Sequence, residues 1–382
     1  MFPGKATTRS EPGQQASSEI PDSITPRFVA SDSTTAVRYP TGQHPCQGLY
    51  WCMKDHAPSV VFMLSHYIAD FSEHYLAVPL ALRGYGVLGW NTRFTGAEDR
   101  FVLEQAMDDL AVGTSWIRNN TPAKKIVFIG NSGGGSLMAA FQAKAERESL
   151  SAMGADAFIF LNAHPGRADV MARWIDPSVV DESDPVKTDP SLDMYAPQNG
   201  PPYSAEFIQR YRGAQVARSE KITEWAKKEL RRLNDAGVPD RVFPVYRTMA
   251  DLRFMDPNIE PSDRPCPACY AGDPVQANRG ISMIARASTL KTWLSMWSLA
   301  DSQAQFELSG PHFTVPTLII QATADVGVYP SDAHKIYDLV ASKDKELKLI
   351  PGAAHFFEDS PKSLVTAVGY IDDWVKEKMV SS

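Results

Sequence analysis

The chain has 382 residues, 43% of them hydrophobic and 22% charged, with a formal net charge of −7. That length can bury a full core. The acidic balance, without a Lys/Arg-rich stripe, excludes a general nucleic-acid binder, and the longest apolar runs, such as Ser59–Leu64, are far too short to span a membrane. Residues 1–27 are rich in Ser, Thr, Pro, Gln and Glu and lack an apolar targeting core, so they read as a disordered leader on a cytoplasmic protein. Four cysteines are too few for a disulfide framework. Cys46 and Cys52 flank one strand. Cys266-Pro-Ala-Cys269 is a lone pair without the further ligands a structural zinc site needs, and reads as a Pro-rich turn. No metal or cofactor is expected.

In chain order, Gln47–Met53 and Ser59–Ser65 are β-rich, and the unbroken apolar run of the second suits a strand buried on both faces of a parallel sheet. Tyr75–Arg83 reads as a helix stopped at Gly84 and Gly86–Trp90 as a third strand. Asp99–Arg118 carries Phe101, Leu103, Ala106 and Leu110 at helical spacing. Lys125–Ile129 is a strand, Gly133–Glu148 a helix and Ala157–Asn162 a strand. This alternation predicts an α/β fold with a doubly wound, mostly parallel sheet.

The rhythm stops at Pro165 and resumes near Val315. The stretch between holds 14 of the 28 prolines from Pro165 to Pro274, a long charged helix at Ala205–Asp235 and a Trp-bearing helix at Thr289–Leu299. Thr317–Gln321 is again a strand, Ser331–Ser342 a helix, Leu347–Ile350 a strand and Pro361–Met379 a closing amphipathic helix. The organisation expected is a core of 28–166 and 313–382, interrupted by a largely helical insertion at 167–312, far beyond an ordinary loop. Charges of both signs on Ala205–Asp235 read as a solvated face or a subunit contact in a homo-oligomer.

Within Ile126-Val-Phe-Ile-Gly130-Asn131-Ser132-Gly133-Gly134-Gly135, an apolar strand runs into Gly-x-Ser-x-Gly and then into a helix. That context suits a tight turn that exposes the Ser132 hydroxyl and sets the Gly133 N–H at a helix start, where it can bind developing negative charge. Neither nucleotide-loop spacing fits. Of the eight histidines, His355 follows the strand Leu347–Ile350 on a loop, where open sheets place reactive groups. Asp325, at the mouth of the preceding strand, is its expected partner, ahead of Asp332 in a helical first turn and Asp169.

The order Ser132…Asp325…His355 on those strands resembles the α/β-hydrolase superfamily, as does Ala81–Gly96 before the nucleophile, although Asn91-Thr-Arg93-Phe94 departs from the common Asp-x-Arg-Gly. Arg93 is expected to bond nearby carbonyls. Where that family often has His-Gly after the strand at Ser59–Leu64, this chain has Ser65-His66-Tyr67, so the resemblance implies Tyr67 N–H, or that of His66, as the second oxyanion donor beside Gly133. The His66 side chain is an alternative substrate contact. The resemblance also implies that the insertion is a lid, with Trp174, Tyr195, Tyr203, Phe207, Phe243, Tyr246, Trp293, Met296 and Trp297 available for a lipophilic wall. Asn131, Trp293 and Trp297 are the further substrate-binding candidates. The expected activity is metal-independent hydrolysis of a bulky hydrophobic ester or lactone through an acyl-enzyme. Carbon–carbon bond hydrolysis, acyl transfer or a lyase step on the same residues is the rival chemistry, and a non-catalytic ligand receptor the rival of another class.

Overall fold

A strand such as Val60–Leu64, apolar at every position, is stable only with both faces covered, and the architecture follows from that. In a computed structural model, which describes residues 20–380 apart from 151, 282–283 and 359, the strands are β1 (Ile24–Ser31), β2 (Cys46–Met53), β3 (Val60–Leu64), β4 (Gly86–Asn91), β5 (Lys125–Asn131), β6 (Ala157–Leu161), β7 (Val242–Pro244), β8 (Ala287–Thr289), β9 (Thr317–Ala322) and β10 (Lys345–Ile350). One sheet has the order β1-β2-β4-β3-β5-β6-β9-β10. It is parallel from β4 to β10, while β2 runs antiparallel to both β1 and β4.

Alternate residues of the central strands point into two separate cores. Val61, Met63, Ile126, Phe128, Phe158 and Phe160 pack with α2 (Leu103–Asn120) and α3 (Gly134–Arg147). Phe62, Leu64, Val127, Ile129, Ile159 and Leu161 pack with α1 (Ala77–Ala81) and the closing helix Pro361–Val375. Arg93 lies between β4 and α2, but its partners are the buried carboxylate of Asp109, at 2.5 Å, and the hydroxyls of Ser33 and Thr35 rather than carbonyls.

The expected leader needs correction. Residues 1–19 lie outside the described residues, but Ile24–Arg27 belong to β1, which pairs along its whole length with β2 from Ile24 opposite Met53 to Ser31 opposite Cys46. Pro26 sits on this outermost strand, where a missing N–H is tolerated.

Between β6 and β9 run α4 (Arg167–Trp174), α5 (Ala205–Asp235), the β7–β8 ribbon and α6 (Pro274–Arg279), joined by long irregular segments. The Trp-bearing helix is shorter than expected: one turn at Leu290–Thr292 passes into a π-helical turn at Trp293–Trp297. This region has a small core of its own, with Met194, Tyr203, Phe207, Tyr211, Ala250 and Leu252. Beside it the fully buried Asp251 is held between Arg212 and Arg253, each at 2.7 Å. After β9 come α7 (Pro330–Leu339), β10 and α8 (Pro361–Val375). The four cysteines described are all free.

Candidate active site

The strand order reverses around β3, and the carboxyl ends of β3, β5, β6, β9 and β10 open on one side of the sheet, where such folds bind ligands. Ser132 lies between the end of β5 and the start of α3 with φ of 54°, a left-handed conformation rare for a residue with a side chain. Its N–H donates to the Leu161 carbonyl at 3.1 Å, and its own carbonyl accepts from Gly135 N–H at 3.1 Å. The turn is tight enough that a Cβ on Gly130 would stand 2.6 Å from the Gly135 Cα.

Across the site, His355 Nδ1 and Asp325 Oδ2 are 2.5 Å apart. The other oxygen of Asp325 accepts from the N–H groups of Gly327 and Val328 at 2.8 and 2.9 Å, so a carboxylate only 1% exposed has its lone pairs occupied. Asp332 and Asp169 are engaged elsewhere, the first with Tyr329 N–H and Arg173, the second with Lys335. Sequence reasoning missed Asn162. Its amide donates to the His355 carbonyl at 2.6 Å and accepts from Ala322 N–H at 2.7 Å, tying the histidine loop to the ends of β6 and β9. A single amide at a strand end carries no motif that could have revealed it.

The histidines divide by environment. Burial disfavours charge on His355, but the charge and hydrogen bond of Asp325 outweigh it and its pKa is raised. Among the described residues, His66 and His164 have no carboxylate partner. Burial, then the nearby Arg167, pushes His66 well below its ordinary value, and the same causes lower His164 to about 3. His74, behind the site, falls to about 4 through burial, against the opposing bond to Asn131.

Ser132 and His355 line one cavity of ≈ 650 Å³, together with His66, Asn131, His164 and Arg167. Its apolar wall comes from Ile68, Phe71, Val170, Trp174, Tyr270 and Phe356. No hydrogen bond joins the Ser132 hydroxyl to His355 among the described residues; such contacts commonly close only around substrate.

The other expected site residues are placed less directly. Gly133 follows Ser132 at the head of α3, with His66 beside it. The Tyr67 ring is fully buried against Phe101, with its hydroxyl 3.1 Å from that of Ser136. Asn131 reaches the cavity, but its amide is committed inward: Oδ1 accepts from His74 and Tyr75, and Nδ2 donates to the Leu161 carbonyl at 2.8 Å. Trp293 and Trp297 require correction as wall residues. Both are fully buried and neither borders the cavity; Trp293 donates to Thr223, and Trp297 packs on Arg167. Of the aromatic residues expected on the wall, Trp174 is there, while Tyr195 and Tyr203 bond the carbonyls of Met249 and Met194 within the insertion.

A family model described as serine aminopeptidase, S33, matches residues 283–359, the part that carries Asp325 and His355. No curated protein matches the chain. Among solved structures it is similar to the alpha/beta hydrolase GrgF from Penicillium sp. sh18, with a TM-score of 0.54 at 15% identity over 93% of this chain and 99% of that one. It is also similar to DcsB, solved in complex with its substrate analogue, with a TM-score of 0.53 at 14% identity over 93% and 100% of the two chains. A third likeness is to the hypothetical protein PA2218 from Pseudomonas aeruginosa, at 0.52 and 13% identity over 93% and 95%. At such identities the likeness is one of fold, and with the strand order and the turn at Ser132 the chain has the α/β-hydrolase fold.

Proposed function

We propose that the protein is a serine hydrolase that cleaves an ester or lactone of a bulky hydrophobic small molecule. The observation that carries this reading is the buried Asp325–His355 pair facing, across one largely apolar cavity, a serine in a strained turn. Ser132 attacks the carbonyl carbon while His355 takes its proton, with Asp325 holding the ring and stabilising its charge. The oxyanion is bound by Gly133 N–H and by a backbone N–H of the His66–Tyr67 turn. His355 then protonates the leaving alkoxide, and water, activated by the same ring, releases the acid. The insertion acts as a lid: Val170, Trp174, Tyr270 and Ile284 supply much of the apolar wall, and the cavity volume is in the range of drug-sized ligands.

The test is intact mass after treatment with a fluorophosphonate, followed by peptide mapping. A single adduct on Ser132, absent in Ser132→Ala, is the expected result. A folded protein that takes no adduct yet binds hydrophobic esters or lactones without turnover would overturn this reading in favour of a ligand receptor.

A further inference from the structure

Arg167 opens α4 directly after β6 and is 7% exposed, yet it borders the cavity that holds Ser132. The rings of Tyr67 and Trp297 lie 5.1 and 5.2 Å from its guanidinium carbon, which fixes where that group sits. A guanidinium has five N–H donors. Nη1 reaches Glu98 at 3.3 Å, and Nε is buried with no hydrogen-bond partner among the described residues. Glu98 is itself shared, its other oxygen accepting from Ala285 N–H at 3.0 Å. A buried cation is ordinarily matched by more acceptors than this.

The unmatched edge has a direction. A Cβ on Gly133 would stand 3.2 Å from both Nε and Nη2 of Arg167, and 2.7 Å from His66 Nε2. His66 Nδ1 accepts from the N–H groups of Ile68 and Ala69 at 3.2 and 3.0 Å, so the neutral ring carries its proton on Nε2. Three N–H donors therefore converge beside the residue that follows Ser132. Among the described residues, neither His66 Nε2 nor Arg167 Nε is bonded to an acceptor. The remaining charged residues on the wall, Asp99 and Arg286, are of opposite sign.

Adjacent N–H groups on one guanidinium edge match the two oxygens of a carboxylate, and a neutral carbonyl would occupy only one of them. Resting on the serine hydrolase reading, we propose that Arg167 and His66 form a receptor for a substrate carboxylate held a few atoms from the scissile carbonyl. The substrates are then anionic esters or lactones, of which the half-ester of a dicarboxylic acid is the simplest form. Glu98 positions the guanidinium, and the apolar wall takes the rest of the molecule.

The experiment compares 4-nitrophenyl hydrogen glutarate with its neutral counterpart, 4-nitrophenyl methyl glutarate. The wild type is expected to favour the anion at least tenfold in kcat/KM, that ratio to collapse towards one in Arg167→Met, and Arg167→Lys to restore part of it. Binding is read separately in Ser132→Ala by calorimetry, where monomethyl glutarate is expected to bind at least tenfold tighter than dimethyl glutarate. Equal or better use of the neutral ester by a wild type that still labels at Ser132 overturns the carboxylate receptor alone, as does an unchanged ratio in Arg167→Met. Absence of both turnover and labelling overturns the hydrolase reading, and the calorimetric comparison, which needs no folded Arg167 variant, still decides for or against the carboxylate.

Discussion

The turn at Ser132 is held against β3 by a contact that one methyl group would break. A Cβ on Gly134 would stand 2.2 Å from the Ser65 carbonyl oxygen, about 1 Å inside normal carbon–oxygen contact. Both parties are backbone, so Gly134→Ala must push the start of α3 away from the Ser65–Tyr67 turn. Those two segments carry the proposed oxyanion donors, Gly133 on one and the His66–Tyr67 N–H groups on the other. Misplacement of about 1 Å costs on the order of 100-fold in rate, or about 2.7 kcal/mol of barrier. Overpacking should also remove about 1–3 kcal/mol of stability. The assay is kcat/KM on a neutral nitrophenyl ester, with the rate of phosphonylation and a thermal melt alongside. Gly213→Ala, in the middle of α5 with nothing within 4 Å of its Cβ, is the control: it should leave the rate unchanged and add about 1 kcal/mol of helix stability. A Gly134→Ala protein as stable as wild type and within threefold of its rate would refute the reasoning.

Asp325→Asn should lower kcat by roughly 10³–10⁴-fold, because an amide neither fixes the tautomer nor stabilises the imidazolium. His355 must be neutral to accept the proton, so activity rises with pH through its pKa, which Asp325 holds above the ordinary 6.5. The acid limb of kcat/KM should therefore lie above pH 6.5 in the wild type, and the residual activity of Asp325→Asn should show it at lower pH; a limb that does not move counts against the pairing. Asp251→Ala should cost about 3–5 kcal/mol in a denaturant melt at pH 7, since it strands Arg212 and the nearly buried Arg253 without their carboxylate. These two arginines overcome burial to hold the Asp251 pKa well below its ordinary value. Its contribution is thus full above the unfolded-state pKa near ~3.9 and lost as pH falls below that. The gap between variant and wild type should narrow by pH 3, and a loss under 1 kcal/mol at pH 7 would show the cluster to be dispensable.

The core strands were legible because each is a short apolar run closed by polar or glycine residues, and α5 was legible from end to end, Ala205 to Asp235. β1 was not. Pro26 and Arg27 interrupt its alternation, only Ile24 and Val29 are buried as hydrophobic contacts, and its pairing with β2 supplies what local pattern lacks. At the site, chain order and strand ends single out Ser132, Asp325 and His355 in the sequence, and the structure pairs His355 with Asp325 and sets His355 and Ser132 on one cavity. The wall could not. Trp293 and Trp297 are large and apolar, which fits an insertion core and a cavity equally well in sequence, and only packing sends them inward. Arg167 is hidden in the sequence for the opposite reason: a charged residue opening a helix looks like surface until Tyr67, Trp297 and Glu98 close around it.

Four buried or nearly buried histidines surround the serine turn, and the fold gives a carboxylate to one. His74 bonds an amide, His66 accepts two backbone N–H groups, and His164 faces Arg167 and His355. In low-dielectric surroundings a ring without a negative partner stays neutral, and a neighbouring cation strengthens that preference. Only His355 can therefore hold a second proton at little cost, which is what the proposed base beside Ser132 must do. The neutrality of the others is equally useful. A charged His66 or His164 beside Arg167 would concentrate positive charge next to His355 and lower its basicity. Asp325 thus acts on selectivity among the histidines as well as on orientation, and the arginine proposed to receive a carboxylate also helps keep His66 and His164 neutral.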